Sequence, residues 1–529
     1  MTINISTALN SAILPYASDQ KVLTPNKLGI LVNEYQVDRS RFQEIAGILK
    51  KAGARLVAEW AADETTLGGD FGVYACYARS DEYVIIKTSV PAANPAFPSL
   101  TKYFIPAYRF ERQMRSFFGV VPEGHPDMRP WILHEDWPAD QYPLRKSFEI
   151  NSRPPRGNAD YRWSRVEGEG VFEIPVGPVH AGIIEPGHFR FQAVGEDILN
   201  LEAKLGYVHK GIEKRFETMP LRDGVKLAAR ISGDSTVAHA LAYCMALESM
   251  TGCVPCAKSQ WIRALLLERE RIANHFGDLG ALANDAAFTF LFYHFTKLKE
   301  SLLRANLRLF GHRFMMDVII PGGVTMDVNQ RECEIILSEL ADMKKEFERL
   351  MVIYEENPSF QERIFKTGVL ETEMAEALCV VGFAGRASGQ ILDCRNDFPF
   401  GPYESFAVSA PVLHSGDVHA RGWVRVMEIR ESMKIIEKII KTLPQDGVTL
   451  SSFDNPPAGA EGFSAVEGWR GEIVCWIQAG KDGAINRCMA RDPSAVNWLG
   501  LETLTKGDIV PDFPLCNKSF NASYSGHDL

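Results

Sequence analysis

Between residues 151 and 165 the chain reads NSRPPRGNADYRWSR, a run of Pro, Gly, Asn and Arg in which apolar residues recur at neither a helical nor a strand period. Such a segment has no face to bury, so it parts the chain into two units. A chain of 529 residues is also too long for one core. The pattern predicts one unit over 1–150, a linker over 151–165 and a second unit over 166–529.

The two sides differ in period. Before the linker, RFQEIAGILKKAGA puts Phe42, Ile45, Ile48 and Leu49 on one helical face, and FGVYACYAR and EYVIIKTSV are rich in β-branched and aromatic residues. That is a small α/β unit. After it, the short strands GVFEIPVGPVH and HFRFQAVGED lead into long helices. In SQWIRALLLERERIANHFGDLGALA, residues Ile262, Leu265, Leu266, Ala273, Phe276 and Leu279 form an apolar stripe. Glu268 and Arg271 are an i,i+3 pair on that helix, read equally well as a solvated ion pair or a buried one. Ile436, Ile439, Ile440 and Leu443 make a second stripe, ended by Pro444. RGEIVCWIQAG returns to strand, and NRCMARDPSAVNWLGLE reads as a loop. The fold class is α+β: a small N-terminal α/β domain, then a mainly helical domain with peripheral strands.

The formal charge of -10, from 57 Lys and Arg against 67 Asp and Glu, argues against nucleic acid or anionic lipid as the main partner. The first residues hold no base before Lys21 and no apolar run, so no secretory signal is expected and the cytoplasm is the expected compartment. The most apolar stretch, ALANDAAFTFLFYHF, is too short to span a bilayer and carries Asp285 and His294. The ten cysteines follow no framework spacing; only Cys253 and Cys256 form a CxxC, and one pair cannot fill a four-ligand site. Inert thiols at a turn before a helix is the plainer reading of that pair, redox or metal chemistry the other. GHRFMMDVIIPGGV lacks the G-x-G-x-x-G spacing of a dinucleotide site.

One loop stands out. ARISGDSTVAH places Ser232 and Ser235 three apart between Arg230 and His239, where a metal site would carry cysteines. FERQMRSFFGVVPEGHPDMRPWIL with YPLRKSF resembles the peripheral-arm subunit of respiratory complex I that sits beside its quinone-site subunit. GPVHAGIIEPGHFRF and LGYVHKGIEKRFE resemble both that quinone-site subunit and the large subunit of group 4 membrane-bound NiFe-hydrogenases. Both modules in one chain is the arrangement of formate hydrogenlyase and hydrogenase-4 large subunits, and the resemblance covers nearly the whole chain.

Hydrogenases of this family hold nickel through cysteine pairs in R-x-C-G-x-C-x-x-x-H and D-P-C-x-x-C. The resemblance places Ser232, Ser235, Ser494 and Asn497 at the four ligand positions, within frames kept as Arg230, Gly233, His239, Asp492 and Pro493. Thiolates are soft anions that bridge nickel and iron, whereas hydroxyls and an amide are hard and neutral, so no metal is expected here. In complex I the homologous subunit uses the emptied cavity for a quinone headgroup, held by a tyrosine and a histidine. Ungapped matching puts Gly233 at the tyrosine position and Ile184 near the histidine; His180 or His188 substitutes for that histidine, and His180 and His239 stand as quinone-cavity residues.

Glu185 matches the hydrogenase glutamate that passes protons, and Arg470 the arginine overhanging the metal; Asp234 lies between the two serines. Glu185, Asp234, Arg470 and His188 make a proton relay or polar-ligand pocket, because neighbours and burial move carboxylate pKa values. The plainer alternative is a buried ion pair of Arg470 with Asp492 or Asp234 in the metal's structural place. His209 and His275 read as packed or capping histidines. GDVHARGWVRVMEI resembles the helix that packs against the iron-sulfur partner.

The resemblance implies a component of a membrane-associated, complex-I-like or hydrogenase-4-like assembly. It implies a small 4Fe-4S partner subunit, antiporter-like membrane subunits that move protons or sodium, and a place at the inner face of the cytoplasmic membrane held by those partners. No cofactor is expected on this chain itself, with quinone as the exception. The role is metal-free coupling or scaffolding; the alternatives are an oxidoreductase subunit reducing a quinone or other small acceptor in the vacated cavity, or an unrecognised metal or substrate.

Overall fold

The computed structural model describes residues 8–23, 32–79, 82–157, 161–180 and 184–529. Residues 1–7 of the N-terminal stretch, 158–160 of the expected linker and 181–183 of GPVHAGIIEPGH lie outside the described residues.

The N-terminal part is a five-stranded sheet in the order β1-β2-β5-β4-β3, with β1 Ala17–Val22, β2 Val32–Val37, β3 Arg55–Asp63, β4 Phe71–Arg79 and β5 Glu82–Val90. Within this sheet β2 and β5 run parallel, and the other neighbours antiparallel. Helix α1, Phe42–Lys51, buries Phe42, Ile45 and Leu49 and leaves Ile48 half-buried at the edge of that face. Helix α2, Ala107–Phe118, also packs against the sheet and stops at Gly119, whose φ of 70° suits a glycine C-cap. After Glu123 the described residues up to 171 carry neither helix nor strand.

β3 and β4 are buried along nearly their whole length because both their faces are covered. One face meets α1 and α2, and the other lies on a second sheet of β9 Glu461–Gly468, β10 Gly471–Ala479 and β11 Ile485–Arg491, antiparallel in that order. The seam is aromatic: Trp476 lies 5.5 Å from Trp60 and 4.9 Å from Tyr74. Between these in sequence come β6 Phe172–Val176, β7 His188–Val194 and β8 Asp197–Lys204, a three-stranded antiparallel sheet.

The helical centre is α3 Thr236–Thr251, α4 Ala257–Asp285, α5 Thr289–Phe310, α6 Gln330–Glu356 and α7 Val418–Thr442. All six stripe residues of α4 are buried, as are Ile436, Ile439, Ile440 and Leu443 around α7. The Glu268–Arg271 pair is the buried kind, 3.3 Å apart with neither side chain exposed. It belongs to a core network in which Arg386 meets Glu428 at 2.5 Å and Glu467 at 3.0 Å, Arg395 meets Asp393 at 2.7 Å, and His275 bonds Glu428 at 2.7 Å. Each charge in this network has a neighbour of opposite sign, which makes such burial tolerable. His275 is a packed histidine, as expected, and His209 stacks on Phe117 and bonds the Asp528 carbonyl at 2.7 Å.

The stretch expected as a loop, NRCMARDPSAVNWLGLE, is instead β11 followed by helix α8, Ser494–Leu504. Its polar residues mimic a loop: Arg487 and Arg491 are buried against Glu213 and Glu472, and their stems line the sheet interior. Helix α9, Phe513–Phe520, and a final segment over 521–529 close the chain. Cys253 and Cys256 sit at the turn before α4 as free thiols, Cys256 at its N-cap. Among the described residues no helix is long and apolar enough to cross a membrane.

Candidate functional site

Ser232 ends an extended approach with φ -140° and ψ 119°, and one 3-10 turn over Gly233–Ser235 feeds α3. This turn aims Asp234 toward β9-β10, where the connection at Trp469 and Arg470 comes over it. Arg470 binds Asp234 with both arms, at 2.8 and 2.6 Å, reaches Ser235 Oγ at 3.3 Å and donates from Nε to the Asn521 carbonyl at 2.6 Å. Burial works to raise the Asp234 pKa, and the guanidinium outweighs it, holding the carboxyl below its usual range.

The other two residues that the resemblance sets at ligand positions, Ser494 and Asn497, lie in the first turn of α8. Asp492 accepts the Ser494 backbone N–H at 2.8 Å and the His239 Nε2–H at 3.0 Å. Against the desolvation cost, these contacts and Arg470 keep its carboxyl well below the ordinary range. Ser494 Oγ accepts the Ser523 N–H at 2.8 Å, and Asn497 accepts from Val381 N–H at 3.0 Å while donating back to the Val381 carbonyl at 3.3 Å. Ser232, Ser235, Ser494 and Asn497 are all buried, and each is hydrogen-bonded within the protein.

The final segment completes the site, and no motif marks it in the sequence. Ser523 Oγ lies 3.0 Å from Ser232 Oγ and 3.3 Å from Ser525 Oγ, and accepts the Gly526 N–H at 2.9 Å. Ser232 Oγ donates to Asp234 at 2.7 Å. Glu185, exposed at its position before β7, accepts the Ser525 N–H at 3.1 Å. Three serine hydroxyls in series therefore run from Ser525, held by Glu185, to Asp234. The segment presses so close to Asp492 that a Cβ on Gly526 would stand 2.6 Å from its carboxyl carbon. Its one sequence signal is the run NASYSG, small and polar with no period.

Beside Asp234 the surface opens at Gly233, where an added Cβ would meet nothing within 4 Å. A cavity of about 10 Å³, enough for one water, lies between Asp234, Glu270 and Lys299. Glu270 caps α3 by accepting the Val237 and Ala238 N–H groups at 2.7 and 3.1 Å, and burial pushes its pKa up to about 8.

Of the expected residues, Glu185, Asp234, Arg470 and His239 come to this cluster. His188 and His180 bond within their own loop, His188 Nδ1 to the Gly177 carbonyl at 3.1 Å and His180 Nε2 to the Gly187 carbonyl at 2.7 Å. Arg230 turns outward to Asp317 at 2.7 Å. The ion-pair alternative is present in one of its two forms, Arg470 with Asp234, while Asp492 pairs with His239. Among the described residues no group of three or more His, Cys, Asp or Glu is placed to hold a metal ion.

Residues 35–154 match the family described as respiratory-chain NADH dehydrogenase, 30 Kd subunit, and residues 285–458 the one described as respiratory-chain NADH dehydrogenase, 49 Kd subunit. The second match stops short of both ligand-position loops. Formate hydrogenlyase subunit 5 of Escherichia coli is 30% identical over 532 residues, spanning 98% of this chain and 92% of its own length. Hydrogenase-4 component G of Escherichia coli is 31% identical over 476 residues, 88% of this chain and 82% of its own. An NADH-quinone oxidoreductase subunit of Bacteroides thetaiotaomicron is 30% identical over 459 residues, 82% of this chain and 85% of its own. The chain is an oxidoreductase-complex component and belongs to the family of fused 30 Kd-type and 49 Kd-type subunits that includes the formate hydrogenlyase and hydrogenase-4 large subunits.

Proposed function

We propose that this chain is a metal-free coupling subunit of a membrane-associated, hydrogenase-4-like or complex-I-like assembly, and that its serine-lined site passes protons where relatives of the hydrogenase type carry nickel and iron. The observation that carries this reading is the hydroxyl series Ser525, Ser523, Ser232 ending on Asp234, with the exposed Glu185 held beside its outer end by the backbone N–H of Ser525. A hydroxyl accepts one proton while donating its own, so such a series moves a proton without moving a side chain far.

The donor chemistry speaks against a nickel-iron centre. Four hard, neutral groups stand in place of thiolates, and their lone pairs and protons are engaged with Asp234, Ser523 and Val381. Arg470 on Asp234 supplies the charge pairing that a metal would otherwise give. Room for about one water beside Asp234 is too little for a quinone ring, which favours coupling over acceptor reduction in this place. The names of the relatives place them in multisubunit oxidoreductases. The proposed partners are accordingly a small 4Fe-4S subunit and antiporter-like membrane subunits, with this chain peripheral at the inner membrane face. His180 and His188 are not proposed as relay members, since their hydrogen bonds go to the Gly187 and Gly177 carbonyls and not to the serine series.

The test is ion translocation by the purified, reconstituted assembly carrying Glu185→Gln or Ser232→Ala. Loss of transport with the assembly intact is expected; unaltered transport in both variants would remove the relay.

A further inference from the structure

A second cavity, of about 40 Å³, lies between the two parts of the chain, bounded by β3 and α2 on one side and β11, α8 and the final segment on the other. At roughly 10–15 Å³ per water it holds about three. Its lining includes Glu59, Glu213, Arg487, Arg491, Asp492 and His527, all buried. Most of these are matched: Arg487 with Glu213 at 2.7 Å, Asp492 with His239 at 3.0 Å, His527 with Asp528 at 2.9 Å.

Two keep unmet polar atoms. Both carboxyl oxygens of Glu59 are buried without a hydrogen-bond partner, and so is the Nε–H of Arg491, whose other nitrogens hold Glu472. An orphaned acceptor pair and an orphaned donor on the walls of one polar cavity call for water between them, since buried polar groups are rarely left unmet. Glu59 is 4% exposed on a strand buried on both faces, where nothing in packing asks for a carboxyl. Burial, then the nearby Glu111 of α2, raise its pKa well above the ordinary carboxylate value, and burial pushes Glu111 itself up to about 7.

We propose that Glu59 is a proton-holding group that serves the serine-lined site through water bound in this cavity. This deepens the relay reading and rests on it. The proton leaves the Glu59 carboxyl, the cavity water carries it as hydronium to the Asp492 edge of the site, and Asp492, kept a carboxylate by His239 and Arg470, stabilises it there. Glu59 is left as a carboxylate on the wall of a cavity that Arg491 and Arg487 also line, and the reverse step restores it. The cavity thereby joins the N-terminal sheet to the site by proton exchange as well as by packing.

Infrared spectroscopy of the purified assembly tests this with Glu59→Gln, a variant of the same size and no charge. At neutral pH the wild type should show the carbonyl band of a neutral carboxylic acid that Glu59→Gln lacks, and the band should shift in D2O. Identical spectra would mean that Glu59 is ionised, and a band unmoved in D2O would mean a dry cavity; either overturns the proposal. In transport assays Glu59→Gln should slow proton delivery about tenfold or more, and an unchanged rate would end the reservoir role even with the band present. Failure of the wider relay shows separately, as unaltered transport in Glu185→Gln.

Discussion

Both arms of Arg470 close on the single carboxylate of Asp234, Nη1 at 2.8 Å from Oδ1 and Nη2 at 2.6 Å from Oδ2. The bidentate pair fixes the turn that carries Ser232 and Ser235 against the end of the chain, because Nε of the same arginine holds the Asn521 carbonyl. On the proposed reading the pair takes the structural place of a metal, and it is the inner end of the hydroxyl series.

Replacing Arg470 with Met should lower the melting temperature by several degrees, a loss on the order of 2–4 kcal/mol. The part-exposure of Asp234 favours the lower end. Adding Asp234→Asn should recover part of the loss, since the uncompensated charge is gone. Thermal melts of both variants check this; a double variant no better than the single one would locate the cost in the Asn521 contact instead.

Gly526 packs where any side chain would strike Asp492. Gly526→Ala should push residues 521–529 off the site and expose Ser523. Hydrogen exchange should then rise over this segment and at the Ser494 turn while α4 stays protected.

The sequence pattern carries the large elements well and the site half-way. Stripes on α4 and α7 are legible because their apolar residues recur at the helical period, although α4 is buried nearly all round, most of its charged residues included. The DPSAVNW helix is not, because buried arginines in β11 look like loop residues until their partners Glu213 and Glu472 are known. Asp234, Arg470, Glu185 and His239 are found through family motifs. Ser523 and Ser525 are not, because a small polar segment lacks any period, and only the fold brings residue 523 to residue 232.

Glu270 binds a proton in the folded chain up to about pH 8 but only to the ordinary carboxylate range when unfolded. The folded state therefore holds more protons between roughly pH 4.5 and 8, and stability falls as pH rises through that window. Glu270→Gln keeps an acceptor for the α3 N–H groups and should flatten this slope in melts taken across the window. A slope identical to wild type would show that Glu270 is not its source.

Asp492 has the opposite sign. Its folded pKa lies below the unfolded value near 4, so its contribution is present above about pH 4 and is lost as pH falls toward the folded value. Asp492→Asn should remove on the order of 2 kcal/mol at neutral pH and shrink to no difference in strong acid. Acid-limb melts of the two proteins would show the curves converging.

The most direct test of the central claim is the nickel content of the purified native assembly, measured by mass spectrometry per copy of this chain. The account predicts nickel far below one atom per chain, with the hydroxyl and carboxylate groups around Ser232 and Asp234 filling the place of the metal. Stoichiometric nickel that disappears on replacing Ser232, Ser494 or Asp492 would contradict it, and the site would then have to be rebuilt around a metal.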